Sequence, residues 1–212
     1  MNRKEHKTFE IILNLIIVIF TVIGIILMLT SKAEEGALQS SGLENFKFYT
    51  VLTNVFCGIV ASVFLVFKLL KKDTEKIRAL KLAAVVGVAI TFAVVAFMFG
   101  PLYGFLQFYK RGNLYFHLLL PVTAMVEFIL VRRKKIPFRY TVIAAVPTLL
   151  YAIGYLLNIL INGIGGAWPD TNDFYGFLNW GWPVGIAIFT GIPLTAFGVA
   201  NIFRAISNKR SK

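Results

Sequence analysis

A chain of 212 residues that is 58% hydrophobic and 15% charged, with a mean hydropathy of +0.75, carries more apolar surface than one soluble core of this size can hide. A soluble globular domain is therefore excluded and an integral membrane protein is indicated. The net charge of +12 does not indicate nucleic acid, because the basic residues stand in short clusters beside apolar runs, the pattern of positive-inside anchoring to a lipid surface.

In chain order the apolar runs cover 9–30, 48–70, 80–99, 114–131, 140–161 and 178–203, each near the twenty residues that cross about 30 Å of hydrocarbon. Backbone amides have no water to bond in lipid, and the alternating ten-residue pattern of a membrane barrel is absent, so each run predicts a helix. The first run follows Arg3, Lys4 and Lys7 but is too long for a signal-peptide core and lacks a small-residue cleavage site, so it predicts a retained span. The expected fold is all-α: a single domain over 1–212, one bundle of six transmembrane helices, with short connections making consecutive helices antiparallel neighbours. No repeat of fixed period is evident.

Eighteen of the 22 Lys and Arg residues fall in the N-terminal tail, the second loop (Lys68, Lys71, Lys72, Lys76, Arg78, Lys81), the fourth loop (Arg132, Arg133, Lys134, Lys135, Arg139) and the C-terminal tail. The intervening loops hold only Lys32 and Lys47, then Lys110 and Arg111, then none from 162 to 179. This asymmetry predicts two cytoplasmic termini and, in a bacterium, a plasma-membrane location. Membrane lipids are the expected partners, and anionic headgroups should gather on the cytoplasmic side.

Chemistry in such a chain is sought among its intramembrane polar residues. His117, the only histidine inside a span, lies a few residues into the fourth run, and Thr50 lies a few residues into the second. The orientation places both at a shallow depth under the outer face. A threonine hydroxyl is a poor nucleophile until a base is within hydrogen-bond reach, and a neutral imidazole is the side chain suited to that task. The bland alternative for Thr50 is a hydroxyl bonded to the carbonyl four residues back, and for His117 a packing hydrogen bond between helices. Asn54, one turn below Thr50, and Asn113 are candidates to orient these groups or to donate to an oxyanion, with interhelical bonding the equal alternative for Asn54. The last outer loop, with Trp168, Asp170, Asp173, Tyr175, Trp180 and Trp182, reads as an interfacial aromatic belt or as a lid in which Asp170 or Asp173 orients His117.

Glu127 lies about 15 Å of helix deeper than His117, near Arg132 and Arg133, which are positioned to neutralise it; it reads as structural. Cys57 is a lone core cysteine, so no intrachain disulfide and no cysteine metal site is expected. His117 has neither a second His at i+4 nor a nearby carboxylate, and no metal or other cofactor is expected. Asn158 and Asn162 share the ambiguity of Asn54. Gly191 and Pro193 mark a kink in the last run that opens space.

The stretch Lys47-Phe48-Tyr49-Thr50 with Thr53-Asn54, the stretch from Asn113 to His117 with Pro121 and Glu127, and Tyr175-Gly176-Phe177-Leu178 resemble the androgen-induced (FAR-17a type) membrane hydrolase family and its bacterial six-helix relatives. The resemblance implies an integral membrane hydrolase of fatty acid esters of hydroxy fatty acids, in which Thr50 is the nucleophile and His117 the base. The alternative from another class is a non-enzymatic six-pass protein, either a small-solute carrier or a scaffold that binds lipids or a partner.

Overall fold

In the computed structural model, residues 3–30, 41–131, 134–166 and 171–211 are described. Six helices in it are long and apolar enough to cross a membrane: α1 (Lys7–Thr30), α2 (Tyr49–Leu69), α3 (Thr74–Tyr103), α4 (Arg111–Leu130), α5 (Arg139–Asn162) and α6 (Trp182–Arg210). The protein is an all-α polytopic bundle. Six antiparallel crossings bring both termini to one face, here the termini face; the opposite one is the far face.

After α1, three helix starts differ from the sequence reading by three residues or more, each for a local reason. Helix α3 starts earlier because Asp73 caps it, its side chain accepting from Glu75 N–H at 3.0 Å. This draws Arg78 and Lys81, expected in a loop, into the buried part of the helix. Helix α4 starts at Arg111 instead of 114, continuing a far-face connection that is itself partly helical at Phe105–Phe108. Helix α6 starts at Trp182 instead of 178, because Gly181 (φ 83°) breaks the helix geometry and residues 171–180 fold as turns.

Helix α3 is the centre of the bundle, packed on α2, α4, α5 and α6, while α1 packs on α2 and α4, and α5 on α6. Its run of small and β-branched residues explains this position, since close approach of backbones in lipid depends on small side chains. A Cβ at Gly87 would come within 2.9 Å of Thr53 on α2. Gly24 on α1 is equally tight against the Phe116 ring on α4, where a Cβ would fall at 2.3 Å.

Charged groups toward the termini face neutralise one another inside the bundle. Lys81 on α3 pairs with Glu127 on α4, Asn14 on α1 donates to the same Glu127 Oε1 at 3.0 Å, and Glu10 pairs with Lys68 at 3.0 Å. The expected partners of Glu127, Arg132 and Arg133, lie outside the described residues. The partner seen is Lys81, which the early start of α3 carries to the depth of Glu127; its ammonium also sits 3.9 Å over the Phe64 ring.

Candidate functional site

Two prolines shape the far-face half of the bundle. Helix α4 contains a π-helical turn at Tyr115–Leu119, in which Leu120 N–H bonds Tyr115 O five residues back. The next donor in that register would be residue 121, a proline with no N–H, so the Phe116 carbonyl is left without a partner in its own helix. Asn54 on α2 takes it: Nδ2 donates to Phe116 O at 2.9 Å and to Thr50 O at 2.7 Å. One buried amide thus clamps α2 at Thr50 to α4 beside His117. A matching π-helical turn at Val95–Phe99 precedes Pro101 on α3.

Below the far face lies a cavity of about 500 Å3. Thr50, Asn113 and His117 all line it, so helices two and four bring the sequence-predicted nucleophile and base to one space. The state of each polar group decides what the space can do. Thr21, Thr53, Thr123, Thr190 and Thr195 all donate to the carbonyl four residues back. Thr50 does not: it is the second residue of α2, preceded by a 3-10 turn (Gly42–Lys47), so no regular helical carbonyl stands behind it. Among the described residues no hydrogen bond engages its hydroxyl or the Asn113 side chain.

His117 is 8% exposed, and its Nδ1 lies 2.9 Å from the Phe108 carbonyl oxygen. A carbonyl only accepts, so Nδ1 holds the proton and Nε2 of the neutral ring carries the free lone pair. The orienting group is therefore this backbone carbonyl in the connection between α3 and α4, not a carboxylate. No hydrogen bond joins Nε2 to the Thr50 hydroxyl.

Asp173, expected to orient His117, is spent elsewhere. Its Oδ1 accepts from Tyr155 Oη at 2.8 Å and Phe177 N–H at 2.9 Å, and its Oδ2 from Leu178 N–H at 2.8 Å. A buried carboxylate so used holds the last far-face loop in shape. Asp170 and Trp168 lie outside the described residues. Asn54, read as an orienting or oxyanion group with interhelical bonding as the equal alternative, makes the interhelical bond: both of its amide donors go to backbone carbonyls and it does not line the cavity. Asn113, one turn before His117, keeps its donors.

The last loop roofs the cavity through Tyr175, Gly176, Phe177, Asn179 and Trp180. Its tyrosines pin the start of α2. Tyr49 N–H, a first-turn donor without a helical partner, donates to Tyr175 Oη at 2.9 Å, and Tyr151 Oη donates to Lys47 O at 2.8 Å. Tyr155 Oη accepts from Tyr175 N–H at 3.0 Å while giving its proton to Asp173. Burial among these rings pushes the Tyr175 phenol up to about 12, so it is neutral at physiological pH. The sequence reading saw the aromatics but not this tyrosine lattice, because its members come from three separate segments. Pro121, four residues after His117, was the available signal for the π-helical turn.

Fold and site together define an integral multi-pass membrane protein with a cavity under its far face, closed by an aromatic roof. No family model, curated protein or solved structure matches the chain.

Proposed function

We propose that the protein is a membrane hydrolase of lipid esters with Thr50 as nucleophile and His117 as base, as its resemblance to the androgen-induced hydrolases implies, the ester of a hydroxy fatty acid being the substrate type. The observation that carries the reading is a cavity-lining threonine hydroxyl, that of Thr50, which no hydrogen bond engages among the described residues, sharing the space with a histidine whose Nδ1 is occupied and whose Nε2 is open. Thr50 Oγ1 attacks the ester carbonyl while Nε2 takes its proton, and the tetrahedral oxyanion accepts hydrogen bonds from the Asn113 amide. Nε2–H then protonates the departing alcohol, leaving an acyl-threonine. Water, deprotonated by the same nitrogen, cleaves that ester, releases the acid and restores Thr50. On this reading the Thr50 hydroxyl and His117 Nε2 come within hydrogen-bond reach in the complex with substrate, since catalytic hydrogen bonds commonly tighten there.

The basic loops support placing the termini face in the cytoplasm, which sets the cavity under the outer leaflet. Purified protein in lipid nanodiscs tests the reading. Wild type is expected to hydrolyse lipid esters and to be labelled by a fluorophosphonate. Thr50→Ala should lose label and activity together, and His117→Ala should lose roughly 10²–10⁴-fold, the usual contribution of a general base. Hydrolysis unchanged in both variants would sink it. A solute carrier would instead show vesicle uptake that survives loss of both residues.

A further inference from the structure

Charged residues stand beside the cavity wall in the chain, but none of them turns into the space. Glu44 precedes the wall residue Asn45 and is exposed. Lys47 precedes the wall residue Phe48, and its ammonium stands 5.6 and 5.5 Å from the Phe48 and Phe174 ring centroids without lining the cavity. Asp173 lies two residues before Tyr175, and its carboxylate accepts from Tyr155 Oη and from the Phe177 and Leu178 N–H groups. Among the described residues that line the cavity, none is Asp, Glu, Lys or Arg. The groups left to meet an occupant include the Thr50 hydroxyl, the Asn113 amide and His117 Nε2, all neutral and set among aromatic rings.

We infer that the cavity takes only the uncharged form of a lipid ester, so that in an ester of a hydroxy fatty acid the second carboxyl group must itself be esterified. This deepens the hydrolase reading and rests on it for calling the occupant a substrate. A charge enclosed without a counter-charge loses its hydration and finds nothing of equal strength, whereas an ester carbonyl needs only a donor, which the Asn113 amide supplies. A free carboxylate would meet no ammonium or guanidinium among the described wall residues. A quaternary ammonium would meet rings but no anion, and the Phe48 and Phe174 rings are already taken by Lys47. The large exposed residues of the wall, Trp180 (70%), Met98 (53%) and Tyr103 (58%), are uncharged as well. An occupant that reaches out between them gains no ion pair there either. The volume of about 500 Å3 falls within the roughly 300–1,000 Å3 that encloses a molecule of drug size, which suits the ester linkage and its neighbouring carbons.

Three forms of one hydroxy fatty acid ester, differing only at the second carboxyl group, test the inference: the methyl ester, the free acid and the choline ester. Binding is read without turnover in Thr50→Ala protein in nanodiscs, by displacement of a dansyl-labelled neutral lipid followed through energy transfer from tryptophan, with each competitor's concentration expressed per lipid in the disc. The methyl ester should bind at least about 10-fold more tightly than either charged form when the acid is ionised, a difference well inside what one unpaired charge costs. As the pH falls through the ionisation of its carboxyl group, the free acid should approach the methyl ester, while the methyl ester itself stays constant. The same protein serves at every pH, so the comparison does not depend on how a variant folds. Hydrolysis of the three compounds by wild type should follow the same order. Ionised acid or choline ester bound as tightly as the methyl ester would overturn the inference, as would failure of all three to displace the label. Charged forms hydrolysed faster than the methyl ester would remove the inference and leave the hydrolase reading. Preference for the methyl ester in binding, with no hydrolysis of any form, would leave the neutral site and remove the hydrolase reading.

Discussion

Thr50 and Asn54 lie one turn apart on the same helix, and their roles follow from what stands behind each. Thr50 is the second residue of α2 and has no regular helical carbonyl to bond, so its hydroxyl is left to the cavity. Asn54 has two carbonyls within reach and spends both of its protons on them. On the proposed hydrolase reading the oxyanion donor is therefore expected at Asn113. Asn113→Ala should lower kcat by about 10²–10³-fold with little change in melting, the range for removal of one such donor. Asn54→Leu should act differently: it orphans the buried Phe116 carbonyl at a cost of about 1–3 kcal/mol, seen as lower thermal stability, with activity falling through misplacement of α4. Equal effects of both variants on stability and kcat would contradict this division.

At the scale of the helices, Pro121 is the device that opens α4 toward α2. Because it cannot donate, the turn around His117 relaxes into π geometry and exposes the carbonyl that Asn54 grips. Pro121→Ala supplies the missing N–H and lets Phe116 bond within its own helix. The expected outcome is a helix of equal or greater stability and, on the proposed hydrolase reading, hydrolysis at least about 10-fold slower, in keeping with the large cost of a 1 Å displacement of a reacting group. Activity retained in this variant would show that the π turn has no part in placing His117. The last loop adds the other constraint on α2, since Tyr175 and Tyr151 occupy the backbone groups of Tyr49 and Lys47 on either side of Phe48. Gly176 (φ 68°) and Gly181 (φ 83°) give that loop the turns it needs to reach back.

Across the whole molecule the polar groups divide between the two ends. Toward the termini face Lys81 and Asn14 both engage Glu127, with Asn14 Oδ1 left buried and without a partner, while near the far face Thr50, Asn113 and His117 line the cavity. The buried pair is expected to govern stability and not chemistry. Lys81→Met should destabilise by about 3–5 kcal/mol because it strands Glu127, and Lys81→Met with Glu127→Leu should recover most of that loss. Melting curves and hydrolysis rates on the same samples check both parts, and a double variant as unstable as the single would contradict the pairing.

Six helices, their approximate limits and their alternation were legible in the sequence, because span length, apolar run and basic flank are local properties that the bilayer thickness fixes. Thr50 and His117 could be singled out in the sequence, His117 by rarity and both by a resemblance in short motifs, but that they line one cavity could not be read there. Which polar groups are free was not legible either. Whether Asn54 or Asn113 keeps its protons, whether Asp173 meets His117 or Tyr155, and whether Glu127 pairs with an arginine nearby in sequence or with Lys81 depend on helix rotation and on competition among donors from distant segments. Hydrogen-bond capacity is limited, since a hydroxyl or neutral imidazole has one proton to give, an amide two and a carboxylate none, and only the packed bundle decides where those protons are spent.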